Sequence, residues 1–407
     1  MEQKKFLTGF VSGMAVVCLL VGVLLFSGKL GIYSGYQGGS GSEKITASEH
    51  RKVLNKLTLL EQYIDEYYLN DLKAEALGNG LYKGLISSLD DQYAAYYTKE
   101  EMEDVKESTE GKYVGIGAYV SYDDELKAAK IIKPYEDGPA DKAGIKAGDI
   151  IVTIDGKDVT GKDLTSVVSR MKGKEGTKVK IGVSRNGEAE TKEFKVTRKK
   201  VETNTVSYQM FSDKIGYIGI ASFKESTVEQ FRYAVEQLEK QGMKGLIFDV
   251  RDNGGGSLSA VVDMLDRILA KGVIVSVKDK NGKGEVYKST NKESLDIPMV
   301  CLVNGNSASA SEVFAGALKD RDVAKLVGTK TFGKGIVQTI YYLNDGSAIK
   351  LTTAKYYTPS GKNIHKVGIE PDVNVELDES IYEMEDPQPK DDNQLQKAVS
   401  VLKKEMK

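Results

Sequence analysis

The sequence predicts a multidomain α/β protein of 407 residues, and three observations carry the prediction. A charge-free apolar stretch near the N-terminus is followed by helical spacing of apolar residues. A glycine-punctuated series of short β-type runs comes next. Strands then alternate with helices, the pattern of an α/β core. At roughly 150 residues per domain the length allows two or three separate cores. With 40% hydrophobic and 29% charged residues the composition is that of a folded chain. Lys plus Arg number 57 against 59 Asp plus Glu, a net charge of −2, so nothing electrostatic points to a nucleic-acid partner. Two His and two Cys are too few for the usual zinc or iron–sulfur ligand sets. An all-carboxylate cation site stays open by count, but no metal and no other cofactor is expected.

Residues 1–30 read as a cytoplasmic stub and membrane anchor. Lys4 and Lys5 precede residues 6–27, which carry no charge. At ~1.5 Å per residue, such a stretch can cross a hydrocarbon core of about 30 Å. The lysines on its near side leave the body outside the cytoplasm, single-pass at the cell membrane. The alternative, a cleaved signal peptide, would have a shorter apolar region and an A-x-A-like site, which is missing. Cys18 falls in the span, so Cys301 is alone in the body and no internal disulfide is expected. Residues 31–43 form a Gly- and Ser-containing linker. Residues 44–110 form a helical region: Val53, Leu57, Leu60, Ile64 and Tyr67 recur at helical spacing within 49–71, and a second stretch covers 74–89. The pattern fits a packed helical hairpin or an element for homodimerisation.

Residues 111–200 change character. β-type runs at 114–120, 129–132, 150–154, 179–184 and 193–197 are separated by glycine, with a helix at 164–171. With Gly138, Pro139, Gly144, Gly148 and Asp149 between them, the stretch resembles a PDZ domain. The resemblance places Val114, Gly115, Ile116 and Gly117 at the loop that binds a peptide carboxylate, beside a sheet edge to which an extended peptide adds. Residues 201–380 alternate strands (214–220, 245–250, 298–303) with helices (228–241, 257–270, 311–319), then continue in β-type runs to 373. Residues 381–407 read as a polar tail ending in a helical piece at 394–404.

Chemistry is expected in the core. An apolar strand through Cys301 runs into small residues containing Ser307, Ser309 and Ser311, and then into an amphipathic helix. A hydroxyl there meets converging N–H groups and the positive helix end, which favour an incipient oxyanion. Local chemistry does not choose among the three serines, and Ser309 with Glu312 also forms a plain capping box. A serine nucleophile needs a base. Only His50 and His365 exist, and His365 as base of a Ser-His-Asp protease is one alternative. Lys334 lies among Gly333, Gly335, Phe332 and Ile336 with no carboxylate close in sequence. Burial there would lower its pKa and leave a free amine, which Gln338 could orient without adding charge. Standing alone, the segment also reads as a surface lysine in a glycine turn. The glycines at 254–256 can aim backbone N–H groups at a developing negative charge, whereas Asp249 and Arg251 read as a structural ion pair. No phosphate-loop pattern is present in this run.

In this order and spacing the segments resemble the carboxyl-terminal processing peptidases (tail-specific proteases), serine–lysine peptidases with a PDZ domain, of the Gram-positive, membrane-anchored type. The likeness covers roughly residues 50–375. It takes in Leu89-Asp90-Asp91, the loop at 113–117, Gly216-Tyr217-Ile218, and the segments 249–256, 307–312, 331–338, 356–361 and 368–372. It implies a crotonase/Clp-protease-like core, Ser309 as nucleophile, Lys334 as general base and Gln338 as its orienting partner. It also implies an oxyanion hole from the backbone N–H groups of Gly255 and Ala310. The implied activity is an extracytoplasmic endopeptidase that grips protein C-termini with its PDZ domain and cleaves upstream. Gly254 stands where many members carry proline. The rival reading is a non-catalytic PDZ scaffold, which would have no use for a desolvated lysine.

Overall fold

Residues 45–71, 73–185, 190–290, 294–384 and 388–407 are described by the computed structural model, in two units, residues 1–77 and 78–407. The expected anchor and linker lie outside the described residues. Among those described, no helix is long and apolar enough to cross a membrane. In the first unit, α1 (Ala47–Tyr67) opens with a reciprocal cap: Thr46 Oγ1 accepts from the Glu49 N–H, and the Glu49 carboxylate accepts from the Thr46 N–H. None of its residues is buried, and Val53, Leu54, Leu60 and Tyr67 are exposed.

After α2 (Ala74–Ser87) the structure departs from the all-helical expectation. A turn at Asp91 leads into strand β1 (Ala95–Tyr97), and only then does α3 (Lys99–Glu110) follow, capped by Thr98 with Glu101. The helix stops at Gly111, whose φ of 74° suits glycine.

The PDZ-type domain begins with β2 (Lys112–Gly115). The run expected at 114–120 is broken at residues 116 and 117 and resumes as β3 (Ala118–Asp123). Next come β4 (Ala128–Pro134), α4 (Pro139–Ala143), β5 (Ile150–Ile154), β6 (Lys157–Asp158), α5 (Leu164–Met171), β7 (Lys178–Ser184), β8 (Lys192–Thr197) and β9 (Lys199–Glu202). Strands β3-β4-β5-β7-β8 form an antiparallel sheet around Ile131, Ile151, Val167 and Ile181, all fully buried. Asp149 is fully buried too, and its carboxylate meets the Arg185 guanidinium at 2.7 Å.

The core alternates as expected: β10 (Val206–Met210), β11 (Ile215–Ile220), α6 (Glu225–Lys240), β12 (Gly245–Asp249), α7 (Leu258–Ile268), β13 (Gly272–Asp279), β14 (Gly284–Ser289), β15 (Met299–Val303), α8 (Ala310–Asp320), β16 (Ala324–Gly328), β17 (Ile336–Tyr342), β18 (Ala348–Tyr357) and β19 (Val373–Asn374). One sheet runs β10-β11-β12-β15-β16-β19, parallel except for β10. Every residue of β12 and β15 is buried, which is why both read as apolar runs, interrupted only at the end of β12 by Asp249. A second sheet, β1-β18-β13-β14 with β17 on β18, includes the strand missed in the helical region, through Ala95↔Lys350 and Tyr97↔Ala348.

The helical piece expected at 394–404 is present and packs on the sheet. Helix α9 (Asn393–Glu405) lays Leu395, Ala398 and Leu402 on the sheet against Ile247, Val300 and Val327. Arg251 ties its start down, pairing with Asp249 and Asp392 at 2.6 Å each. The expected ion pair is therefore a buried three-residue clamp.

Candidate active site

Loops leaving the C-terminal ends of β11, β12 and β15 converge, the usual place for a site on a parallel sheet. They separate the three candidate serines. Ser307 Oγ donates to the Val250 carbonyl and Ser311 Oγ to the Asn253 carbonyl, each at 2.7 Å, and both residues are fully buried. Ser309 is the N-cap of α8. It has φ 56° and ψ −114°, a backbone conformation costly for a residue with a Cβ. Its hydroxyl lies beside that of Tyr356 and opens on a cleft of about 440 Å³. The Ala310 N–H, first of the helix, likewise has no described partner.

The glycine loop lies against this serine. A Cβ on Gly255 would sit 2.7 Å from the Ala308 carbonyl oxygen and 2.9 Å from the Ser309 Cβ, so only glycine fits. The Gly255 N–H, however, points to the Asn253 side-chain oxygen at 2.9 Å. Asn253 is fully buried and also donates to the Ile220 carbonyl at 2.8 Å. The loop thus reaches the expected place with its expected donor engaged internally, while Gly256 lines the cleft.

Glu312 joins the serine segment to the lysine segment. Its buried carboxylate accepts from the Ser309 N–H (3.0 Å) and Lys334 N–H (2.8 Å) on one oxygen. On the other it accepts from Thr331 Oγ1 (2.6 Å) and the Gly333 N–H (2.8 Å). The sequence shows Glu312 only as a helix cap; its second role depends on a segment some twenty residues later. The Tyr356 hydroxyl adds a second bridge, donating to the carbonyls of Ser309 and Lys334. Burial pushes that phenol well above its usual range, with Glu312 contributing.

The Lys334 side chain is half-buried and sits with Nζ 4.3 Å from the centroid of the Tyr93 ring. Burial holds its pKa below the usual lysine range; Lys350 adds to the effect and Asp91 opposes it. No hydrogen bond joins it to Ser309 Oγ among the described residues. Gln338 shares the cleft with Ser309, but its amide donates to Thr352 Oγ1 at 3.3 Å rather than meeting the lysine. Thr352 also reaches Asp91. Burial works against that carboxylate, yet hydrogen bonds from the Tyr93 N–H and Thr352 outweigh it and keep its pKa low. Asp91 and Tyr93 arrive here because β1 pairs with β18; the motif at 90–93 is visible in the sequence, its destination is not. His365 packs behind the lysine loop, where a Cβ on Gly335 would meet its backbone N at 2.5 Å. It does not line the cleft.

In the PDZ-type domain a groove of about 250 Å³ is lined by Tyr113, Gly115, Ile116, Val168 and Met171. The N–H groups of Ile116 and Gly117 have no described hydrogen-bond partner, and Gly117 has φ 71°. Val114 faces the scaffold: its carbonyl accepts from the Gly173 N–H at 3.2 Å.

Residues 214–375 match peptidase family S41 and residues 130–185 match a PDZ domain. The carboxy-terminal processing protease CtpA of Bacillus subtilis is 38% identical over 333 residues, 82% of this chain and 71% of that protein. CtpB of the same organism is 35% identical over 375 residues, 89% of this chain and 77% of that protein. A probable CtpA-like serine protease of Staphylococcus saprophyticus is 37% identical over 332 residues, 81% and 67% of the two chains. Among solved structures, a putative S41 protease of Bacteroides fragilis aligns at TM-score 0.50 and 16% identity, covering 78% of this chain and 87% of that one. A photosystem II D1 C-terminal processing protease aligns at TM-score 0.47 and 32% identity, covering 81% and 88%.

Proposed function

The chain belongs to peptidase family S41, among the carboxy-terminal processing serine proteases, and from that premise we propose that it is an endopeptidase with Ser309 as nucleophile and Lys334 as general base. One observation carries the reading. A single oxygen of Glu312 accepts from the backbone N–H groups of both residues, at 3.0 and 2.8 Å, so their backbones lie within a lysine side chain's reach of each other. Rotation of Lys334 off the Tyr93 ring brings its amine toward the Ser309 hydroxyl. The neutral amine takes the hydroxyl proton as Oγ attacks the scissile carbonyl. The ammonium then protonates the leaving amine, and water resolves the acyl-enzyme by the reverse transfer. The Ala310 N–H is one donor to the oxyanion, and Gly255 becomes the second when its N–H leaves Asn253. Gln338 holds the amine once it has turned inward.

The groove at Ile116 and Gly117 would take the C-terminal carboxylate of a protein substrate and present the upstream chain to the cleft. The charge-free stretch at 6–27 supports a membrane-tethered protein with its body outside the cytoplasm. The exposed apolar residues of α1 support a homodimer. Membrane fractionation of expressing cells and sedimentation of the purified chain test these two points. For the chemistry, the full chain should degrade casein, and Ser309→Ala should not; equal turnover by the two would end the assignment.

A further inference from the structure

Two of the segments that wall the cleft holding Ser309 each contribute a lysine. Lys224 ends the segment that brackets the glycine loop: the Phe223 N–H donates to the Gly255 carbonyl at 3.0 Å, and the Ser257 N–H donates to the Phe223 carbonyl at 2.7 Å. Lys350 comes from β18, where its register partner is Ile340 on β17, the strand that carries Gln338. No Asp or Glu lines this cleft, and neither lysine enters an ion pair among the described residues. Lys350 Nζ rests 5.3 Å from the ring centroid of Tyr97, itself a cleft residue. Burial holds the Lys224 ammonium below the ordinary lysine range, and Lys172 adds to this. The apolar residues Val313 and Ile336 line the same cleft. An anion entering the cleft would be attracted by both cations, with no carboxylate of the lining competing for them.

The geometry points to a carboxylate-selective subsite: Lys224 and Lys350 favour substrates that present a carboxylate close to the scissile bond. This rests on reading the cleft as the place of peptide cleavage, and it adds a substrate class to that reading. The carboxylate can come from an Asp or Glu side chain or from a nearby chain end.

Matched fluorogenic peptides assayed with the full chain test it. One set carries Asp or Asn at successive positions on either side of the cleaved bond, with the terminus amidated. A second set is neutral and ends in a free carboxylate at the same positions. At one or two positions Asp should raise kcat/KM about three- to tenfold over Asn, and the ratio should shrink as salt rises. Lys350→Glu should reverse the ratio in favour of a Lys-bearing peptide, and Lys350→Met or Lys224→Met should bring it toward unity. A preference confined to the free-terminus set would assign the pair to chain ends instead of side chains. Equal cleavage of Asp, Asn and free-terminus peptides at every position overturns the subsite and leaves the endopeptidase intact. Failure of the wild-type chain to cleave any peptide overturns both.

Discussion

At the scale of single residues, Glu312 is the group on which the site's geometry turns. Glu312→Gln keeps the volume but puts an NH2 where one oxygen now accepts from two N–H groups. Either the Ser309 and Lys334 amides or the Thr331 and Gly333 donors then face another donor, and the two segments shift apart. A displacement of about 1 Å costs on the order of 10²-fold in rate. Glu312→Gln should therefore lower kcat on a short peptide by roughly that factor while circular dichroism stays unchanged; full activity would show that the bridge is dispensable. The lysine's neighbours make a paired prediction about pH. As the proposed base, Lys334 would have to be neutral, and activity would then rise as pH passes its pKa. Burial and the Lys350 charge hold that pKa down and Asp91 raises it. Replacing Lys350 with Gln removes a like charge, raises the pKa and should move the acid limb of the kcat/KM profile to higher pH. Tyr93→Leu removes a ring face that favours the ammonium, and should move the same limb to lower pH. Shifts in the same direction would refute the arrangement of these groups around Lys334.

At the scale of elements, the strand–helix alternation was legible because β12 and β15 are buried on both faces and carry no polar residue until Asp249. Helix α5 was legible at 164–171 for the same kind of reason, an apolar face at regular spacing with Asp163 as its cap. What stayed hidden depended on partners distant in sequence. β1 has only three residues, too few for any periodicity, and its partner Lys350 is far along the chain. The last helix looks polar on average, yet Leu395, Ala398 and Leu402 share one face and cover the sheet. In the site itself, residue types bring forward three serines, Lys334 and Gln338, and only the family resemblance picks Ser309 among the serines. Which way the lysine amine or the Gly255 N–H points is a matter of rotamer and peptide orientation, and neither leaves a mark in sequence. The buried helix makes a quantitative prediction. Leu402→Ala should cost about 2–5 kcal/mol, because it opens a cavity against Ile247 and Val300, and a thermal melt should register it as a lowered Tm. A Tm unchanged within error would mean that the helix is not part of the folded core.

At the scale of the whole molecule, α3 touches both functional regions. Its Glu107 pairs with Lys172 at 2.6 Å, beside the PDZ-domain groove, while Val105, Ser108 and Thr109 line the cleft that holds Ser309. Groove and cleft are thus served by one rigid element, and a substrate long enough to occupy both would be held at two points. The terminal carboxylate is the group that distinguishes the first point. Two N–H groups with no partner among the described residues, on Ile116 and Gly117, would offer it charge-assisted hydrogen bonds worth about 1.5–3 kcal/mol each. Amidating the C-terminus removes the charge and sets an N–H donor against a donor. An unstructured protein substrate ending in an amide should therefore show KM raised by about tenfold or more. A short peptide that reaches only the cleft should be indifferent to the loss of the groove. Gly117→Val tests the same contact from the protein side. A Cβ there would crowd Pro139 and Val201, each at 3.2 Å, in a left-handed conformation that β-branched residues avoid. Its effect should appear with the long substrate and be absent with the short one. If amidation and Gly117→Val both leave long-substrate kinetics untouched, the groove does not receive the chain end, and selection lies wholly within the cleft.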